Sequence, residues 1–334
     1  MAAPLVTTGT YSYSQSVSTI CTAALRLTQA IGEEETANAA QMETTIDALS
    51  GMVKGWMGSD IHVWCEEEGI LFLQPGQTQY EIGAGSSDHI ALFQNVTFGA
   101  LASAAGTGAS TVTLASVTDI LPGDQFGVQL DSGVNFWTTV NGAPAGNVVT
   151  LTAPLPSPAS AAAITFDYTT PLFRPLKALA GRRYQYNSRL DIPIQTWSRL
   201  DYAAQPNKFT PGITTAYFYD PQTGQGSYQS NNPIGLMNAW PTPADNGYAM
   251  RNTFQRPIQD AGTVASVLDF PVEWNAAIKW NLAGEIGPIY GCPMEQMQII
   301  AAQATRWFKM ASAWDRESEG VRFGVARRAG YRRG

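Results

Sequence analysis

Basic residues are missing from a long stretch of this chain. No lysine or arginine occurs between Gly55 and Phe173, whereas ten aspartates and glutamates do. Charged residues of both signs make up only 14% of the 334 residues, well below the usual share. The net charge of −7 argues against general coating of nucleic acid by the whole chain. The shortage of charge indicates that part of the surface is buried against partners.

Cysteine, histidine and long apolar runs are also scarce. The three cysteines, Cys21, Cys65 and Cys292, lie far apart and are odd in number, so we expect reduced thiols and no disulfide framework. The two histidines, His62 and His89, belong to no C-x-x-C or H-E-x-x-H pattern, which argues against a zinc site. No apolar run is long enough to span a membrane, and the N-terminus lacks the layout of a signal peptide. We therefore expect synthesis in a cytoplasm, no membrane association and no signal-directed secretion.

Signatures of catalysis are missing as well. The chain has no G-x-S-x-G motif, no Walker A loop and no G-x-G-x-x-G that enters a helix. Glu66, Glu67 and Glu68 could supply the two carboxylates of a glycoside hydrolase. However, neighbours on a strand alternate between faces, and nothing apolar is fixed nearby to raise one pKa, which favours a solvated charge run. We expect no catalytic residue, cofactor or metal.

The C-terminus is basic, in contrast to the acidic middle. Its last fourteen residues hold five arginines and no acid. Such a split is typical of a protein whose parts face different partners. A nucleic-acid-binding protein that uses this end remains an alternative, which predicts binding with a steep dependence on salt.

Aromatic side chains concentrate in one region among Pro, Asn and Gln. They could stack on nucleotide bases, or they could anchor a protein interface, where Trp, Tyr and Arg are enriched. The negative net charge favours the protein interface. The aromatic residues are Trp197, Tyr202, Tyr217, Phe218, Tyr219, Tyr228 and Trp240, interleaved with Arg182, Arg183, Arg189 and Arg199.

Apolar periodicity predicts two helices at each end of the chain. The first spans residues 14–31, the second opens with Glu33-Glu34-Glu35 and closes at Gly58, and the two should form an antiparallel hairpin. Two more helices are expected, from about Pro271 and over residues 293–313. The simplest packing joins both pairs in one core. The apolar stripes place four of its residues inside it, namely Trp56, Trp274, Ile278 and Phe308.

The middle of the chain reads as β structure. The segments Gly69–Leu73 and Thr78–Ile82, on either side of a Pro-Gly turn, predict a hairpin. Residues 96–168 contain five short β-rich runs with turn signals between them, which predicts a small barrel or sandwich. A low-complexity linker is the alternative, and it is disfavoured by buried-type residues such as Phe126 and Phe166.

The expected fold class is therefore α+β. It has an α-helical core made by the N- and C-terminal helix pairs, with β-hairpins, an inserted small β-barrel or sandwich module and an extended C-terminal tail. The expected bounds are 1–95 for the first part of the core, 96–168 for the module, 169–314 for the second part and 315–334 for the tail.

An ordered series of segments on both sides of residues 96–168 resembles the head-to-tail adaptors, or tail accessory factors, of short-tailed bacteriophages. The resemblance covers about two thirds of the chain. It does not cover residues 96–168, so no role is carried over to them. The segments are ANAAQMETTIDALSGMVKGWMGSDIHVW (37–64), FLQPGQTQYEIG (72–83), RPLKAL (174–179), DIPI (191–194), SRLDY (198–202), YDP (219–221), WPTP (240–243) and DFPVEWNAAIKWNLAGEIGPIYG (269–291).

The resemblance implies a structural virion protein at the head–tail junction that is made in the host bacterial cytoplasm. Such adaptors form a homo-oligomeric ring, usually of twelve copies, beneath the portal protein. The ring lengthens the channel for double-stranded DNA and docks the tail nozzle. Glu66, Glu67 and Glu68 are candidates for its channel wall, since acidic walls repel phosphate. The C-terminal segment would reach the portal through Arg322, Phe323, Arg327, Arg328, Tyr331, Arg332 and Arg333.

A tail-associated peptidoglycan hydrolase remains a further alternative. It would use carboxylates such as Glu66, Glu67 and Glu68. Clearing of purified peptidoglycan would distinguish it from a structural adaptor.

Overall fold

The chain folds into two compact units. One unit joins residues 1–64 to residues 258–334, and the other spans residues 65–257. The first unit is therefore built from both ends of the chain, and the second is continuous in sequence. The computed structural model describes residues 14–57, 63–221, 234–260 and 263–315.

Helices of the described residues concentrate in the unit formed by the two chain ends. Four of the five belong there, and only α3 lies in the other unit. The longest has 21 residues, and in the part of the chain that the structure describes no helix combines the length and apolarity that a membrane span requires. The helices are α1 (Val17–Leu27), α2 (Ala39–Trp56), α3 (Arg199–Ala204), α4 (Asn275–Ile286) and α5 (Met294–Trp314).

Helix α2 begins later than its acidic run suggests. Asn38 caps it: its side chain accepts from the Gln41 backbone N–H at 2.8 Å, and the Gln41 side chain accepts from the Asn38 N–H at 2.9 Å. Glu35 instead lies in the preceding loop, where its carboxylate accepts from the Gly32 N–H at 3.1 Å. A reciprocal capping box satisfies two of the free N–H groups of a helix start, and it therefore outweighs the dipole preference for acids.

The helices of this unit pack around α4, which contacts α1, α2 and α5. Trp274 and Ile278 are fully buried, as the apolar stripes predict. Trp56 and Phe308 touch the Trp274 ring, each at a centroid distance of 5.7 Å, yet both remain partly exposed. The predicted joint core of the two helix pairs is therefore confirmed, with two of its four marker residues at its margin.

Two glycines of α2 give a first testable prediction. A Cβ atom built on Gly51 or Gly55 meets nothing within 4 Å, and both residues are exposed. Glycine inside a helix costs about 1 kcal/mol relative to alanine. We therefore expect Gly51→Ala to raise the free energy of unfolding by about 0.5–1 kcal/mol in urea titrations. Gly69→Ala is the contrasting control, because its Cβ would lie 2.9 Å from the Phe254 ring and should destabilise the protein.

Strands fill the other unit. The described residues contain sixteen, each of two to nine residues. They are β1 (Glu66–Leu71), β2 (Gln79–Ile82), β3 (Ile90–Leu92), β4 (Thr97–Ala100), β5 (Thr111–Thr113), β6 (Gln125–Gln129), β7 (Asn135–Thr139), β8 (Val148–Thr150), β9 (Ile164–Tyr168), β10 (Lys177–Gln185), β11 (Leu190–Thr196), β12 (Pro211–Gly212), β13 (Ala216–Asp220), β14 (Gly235–Trp240), β15 (Thr242–Pro243) and β16 (Tyr248–Gln255).

Eight strands form one barrel-like sheet in the order β2-β14-β13-β11-β10-β16-β1-β3. Its pairs are antiparallel except β11 with β13. The first and last strands, β2 and β3, are consecutive in the chain, and the sheet is nearly closed. Asp88 in their connection accepts from the β2 backbone N–H of Glu81 at 2.6 Å. One face of the sheet carries a large apolar core, made of Leu71, Leu73, Tyr80, Ile82, Ile90, Leu172, Tyr217, Tyr219, Met237, Ala239, Tyr248, Met250 and Phe254.

The hairpin predicted around the Pro-Gly turn is wrong. The two segments do form strands, but β1 pairs with β16 and β3, whereas β2 pairs with β14. Gly69 in β1 lies opposite Asn252, far along the chain. Local turn chemistry favours pairing of neighbours, but burial of the β1 side chains on both sheet faces favours the central position that β16 and β3 provide.

The module predicted at residues 96–168 contains a strand in each of its five β-rich runs. Strands β4, β9, β6 and β7 form a four-stranded sheet, and β5 pairs with β8. Between them lies an apolar core that includes Phe126, Val128 and Val149. Gly123 and Gly142 adopt positive φ angles of 90° and 82° at the predicted turns.

This module rests on the second face of the barrel-like sheet, at what we call the module–sheet joint. Phe72 lies 4.8 Å from the rings of Trp137 and Phe166. Beside them Asn135, which is buried, donates to the Leu73 carbonyl at 3.0 Å and exchanges two backbone bonds with the Gln74 side chain. Apolar packing and satisfied amides therefore fix the module to the sheet.

The fold class predicted from the sequence is wrong. The protein is mostly β, with 31% strand against 27% helix, and its largest element is the barrel-like sheet and not an α-helical adaptor core. Helical stripes are visible within a short window, whereas β1, β10 and β16 become recognisable as one sheet only through partners distant in sequence. The helical share of the fold was overestimated for this reason.

Candidate interaction surface

A crossover connects two parallel strands in the unit of residues 65–257. Strands β11 and β13 run in the same direction, so the chain must return before it can pair again. Residues 197–215 make this return and contain α3 and β12. Ser198 caps α3 by accepting from the Asp201 N–H at 3.2 Å, and Asp201 accepts from the Ser198 N–H at 3.0 Å.

Aromatic rings line this segment in two pairs. Trp197 and Trp240 have ring centroids 5.1 Å apart, and Tyr202 stacks on Phe218 at 5.8 Å. All four rings are half-buried. We call these four residues the aromatic ledge.

Two cations lie over the ledge. The Lys208 ammonium lies 5.3 Å from the Tyr202 ring centre, and the Arg199 guanidinium lies 5.6 Å from that of Phe218. Arg199 is also paired with Asp220, a carboxylate only 4% exposed. Cations over ring faces are favourable, and they give the ledge a mixed aromatic and polar character.

Three large apolar side chains of the same segment, residues 197–215, are exposed to solvent. Leu200 is 81% exposed, Phe209 is 75% exposed and Ile213 is 52% exposed. Single exposed apolar residues are ordinary, but this short segment carries three of them together with two rings of the ledge, and the other two rings lie on the neighbouring strands β13 and β14. We call the ledge and these three side chains the apolar patch. Such a patch, rich in aromatics and edged by Arg and Lys, is typical of the buried centre of a protein interface.

Hydrogen bonds hold the segment to the sheet beneath it. The Trp240 indole N–H donates to the Asn207 carbonyl at 3.1 Å. The Thr214 backbone N–H donates to the Tyr248 hydroxyl at 3.1 Å. Strand β12 pairs with β15. The patch is therefore preorganised, and a partner would not have to order it.

The sequence placed more aromatic residues at the surface than the structure does. Tyr217 and Tyr219 belong to the core of the barrel-like sheet, because alternate side chains of β13 point inward. Tyr228 lies outside the described residues. Phe209, Leu200 and Ile213 were missed, since no periodic pattern distinguishes an exposed apolar side chain in a loop from a buried one.

The acidic run Glu66–Glu68 lies on β1, and its two later members are ion-paired. Glu68 accepts from Arg182 at 2.6 Å and also binds Arg251, which reaches Asp191 at 2.8 Å. Burial would raise the pKa of Glu68, but bonding to Arg251 and the charges of both arginines outweigh it and lower that pKa.

Glu67 is paired with Arg256 at 2.8 Å. The lowered pKa of Glu68 makes this carboxyl poorly suited to act as a general acid. Ion pairing of Glu67 and Glu68 with arginines reduces the repulsion that the run could exert on phosphate. Its position on a channel wall stays a prediction.

The histidines do not belong to a metal-ligand set among the described residues. His89 stacks on Trp137 at a centroid distance of 3.9 Å, and burial lowers the pKa of this histidine to about 4. His62 lies outside the described residues. Among the residues that the structure describes, no group of three or more His, Cys, Asp or Glu side chains is arranged to hold a metal ion.

Asp124 and Asp167 form a buried carboxyl pair at the start of β6 and in β9. Asp124 is 1% exposed and Asp167 is 3% exposed. The Asp124 carboxylate accepts from the Leu121 N–H at 2.7 Å. Burial and then the neighbouring charge of Asp124 raise the pKa of Asp167 to about 8, so Asp167 holds a proton at neutral pH.

This pair predicts a stability that falls as pH rises. Asp167 keeps its proton in the folded state, whereas in the unfolded state it ionises near pH 4, so its stabilising contribution is complete below about pH 4 and is lost progressively up to about pH 8. Asp167→Asn should flatten this slope and raise the free energy of unfolding at pH 7 by about 1–3 kcal/mol. Urea titrations between pH 4 and 9 measure the slope and the free energy of unfolding at pH 7. Asp119→Asn, at an exposed position, is the control. Equal slopes for wild type and Asp167→Asn would contradict a protonated Asp167 in the folded state.

The predicted portal-binding residues Arg322, Phe323, Arg327, Arg328, Tyr331, Arg332 and Arg333 lie outside the described residues. A scan of the chain against models of known protein families finds no match, and a search of curated proteins finds no similar sequence.

Proposed function

We propose that this protein is a structural component of a bacteriophage head–tail junction, an adaptor that assembles as a ring on the portal protein, extends the DNA channel and docks the tail nozzle. The observation that carries the proposal is the preorganised apolar patch around the aromatic ledge, in a chain with 14% charged residues. Such a patch is costly in a free protein and is stabilised when a partner covers it.

The acidic side chains argue against a catalytic role. Glu67 and Glu68 are engaged by arginines, and the pKa of Glu68 is lowered when a hydrolase acid needs a raised one. The buried Asp124 and Asp167 are shielded from any large substrate such as a cell-wall polymer. A structural role is the function that these side chains fit best.

The test is assembly with the portal protein of the same phage. Full-length protein and portal rings are mixed at micromolar concentration, and negative-stain microscopy with native mass spectrometry records the complex. We expect a ring of the protein, of about the twelve copies that the family resemblance implies, seated on each portal. Absence of any complex under conditions where the portal itself is intact would contradict the proposal.

The role of the apolar patch around the ledge in nozzle docking is tested with the assembled ring. Phe209→Ser should leave ring formation on the portal intact and reduce binding of the purified nozzle protein. The matched control is Phe173→Ser, which removes a phenylalanine that is 66% exposed and is not part of the patch around the ledge. Equal nozzle binding by both variants would show that the apolar patch around the ledge is not the docking surface.

The basic C-terminus is tested by truncation. A chain that lacks Val321–Gly334 should keep its fold and lose stable portal binding, since charge-assisted contacts from five arginines would be missing. The nucleic-acid alternative makes a different prediction. In that case the full-length chain binds double-stranded DNA with a steep dependence on salt, and the deletion removes this binding but leaves portal binding unchanged.

A further inference from the structure

Helix α5 carries an exposed face that none of the described residues of its own unit covers. Ile299 is 53% exposed and Met310 is 52% exposed, while Ala302, Arg306 and Ala313 are exposed as well. These residues follow one another at spacings of three and four, so they share one side of the helix. The side toward α4 is a different one, formed by residues such as Ile300, Ala304 and Ala311.

Helix α2 carries an exposed face of the opposite character. Ala40, Glu43, Asp47, Gly51 and Gly55 are exposed and again follow at spacings of three and four. The two glycines have nothing within 4 Å of an added Cβ, so their own chain does not require them there. Glycine at these places weakens an isolated helix but lets a second helix approach closely.

The two faces complement each other in charge and shape. The α5 face presents Arg306, with Lys309 exposed beside it, whereas the α2 face presents Glu43 and Asp47. Ile299 on the α5 face can lie over Gly55 of the α2 face, and the small Ala302 over Gly51. Charge complementarity of this kind sets the register and orientation of an interface.

We propose that the α5 face of one copy of this chain packs antiparallel on the α2 face of the next copy. In this register Arg306 meets Asp47 of the neighbour, and Ala302 meets its Gly51. Each face extends for about 20 Å, from Ile299 to Ala313 and from Gly55 to Ala40, so the two match in length.

The contact joins two different faces, and repetition of it therefore generates a ring if the rotation closes. The inference rests on the proposed ring-forming function and names the surfaces that would make the ring.

Charge reversal in the full-length chain tests the contact. Sedimentation velocity over a range of concentrations measures self-association of wild type, Arg306→Glu, Asp47→Lys and the double variant. Each single reversal should raise the dissociation constant about tenfold or more, and the double variant should recover the wild-type value. Glu34→Lys, which makes the same charge change on an exposed acid outside both faces, should behave as wild type.

Gly51→Leu separates assembly from folding. The substitution favours the helix, so the melting temperature of the chain should not fall, while the leucine side chain should keep the neighbouring α5 away and abolish association. Unchanged self-association in Gly51→Leu, or no recovery in the double charge variant, would overturn the contact. So would a wild-type chain that stays monomeric at all concentrations.

The outcomes distinguish this contact from the proposed function. If the wild type binds the portal but self-association does not depend on the two charges as predicted, the adaptor function is retained and the contact is overturned. Self-association with the predicted dependence but no portal binding retains the contact and overturns the function. A dimer that obeys the charge pattern retains the contact and overturns ring closure.

Discussion

Trp274→Ala is expected to lower the free energy of unfolding by about 3–5 kcal/mol. Trp274 is fully buried and its ring touches four others: Trp56, Trp64, Phe270 and Phe308. Removing an indole from such a site loses its transfer free energy and leaves a cavity that helices on several sides cannot all close. Urea unfolding monitored by circular dichroism at 222 nm measures the change.

Trp314→Ala provides the matched control, because this tryptophan is 55% exposed at the end of α5. Its loss should change the free energy of unfolding by no more than about 0.5 kcal/mol, measured at concentrations where the chain is monomeric. A Trp274→Ala effect as small as the control would show that Trp274 is not part of the helical core.

Phe72→Ala is expected to cost a similar amount, about 3–5 kcal/mol, for a different reason. Phe72 is 1% exposed and lies between the barrel-like sheet and the module, where it contacts Trp137, Phe166 and Tyr168. The cavity would open at the module–sheet joint. We therefore expect increased hydrogen exchange in β7 and β9 as well as a lower free energy of unfolding.

Phe209→Ala is the control for Phe72, since it removes the same side chain from a position 75% exposed. It should leave both stability and exchange in β7 and β9 unchanged. Loss of stability without increased exchange in these strands would mean that Phe72 supports the sheet and not the joint.

Local patterns in the sequence were sufficient for some elements and not for others. The apolar stripes identified all four terminal helices, and Trp274 and Ile278 are buried as expected. The five runs of the module each contain a strand because turns and alternation are local features. These predictions depend on neighbours within about ten residues.

The barrel-like sheet could not be predicted in this way. Strand β1 pairs with β16, which is distant in the chain. Burial of β1 side chains on both faces of the sheet favours this pairing, and no turn joins the two strands. Pairing of β11 with β13 likewise depends on a crossover whose length and direction carry no periodic signal. The candidate surface was predicted in part: its aromatic residues were recognised, but which rings face inward follows from the register of β13.

The near closure of the sheet bears on whether the protein can aggregate through its strand edges. Its two edge strands have only four and three residues, and an aspartate of their connection already occupies a backbone N–H of one edge. Open edges recruit other chains through backbone bonds, which any sequence can make and which lead to aggregation. With edges this short, this sheet has little room for backbone pairing with another chain, so a contact that used it would depend on side chains, where a single charge can decide which partner fits.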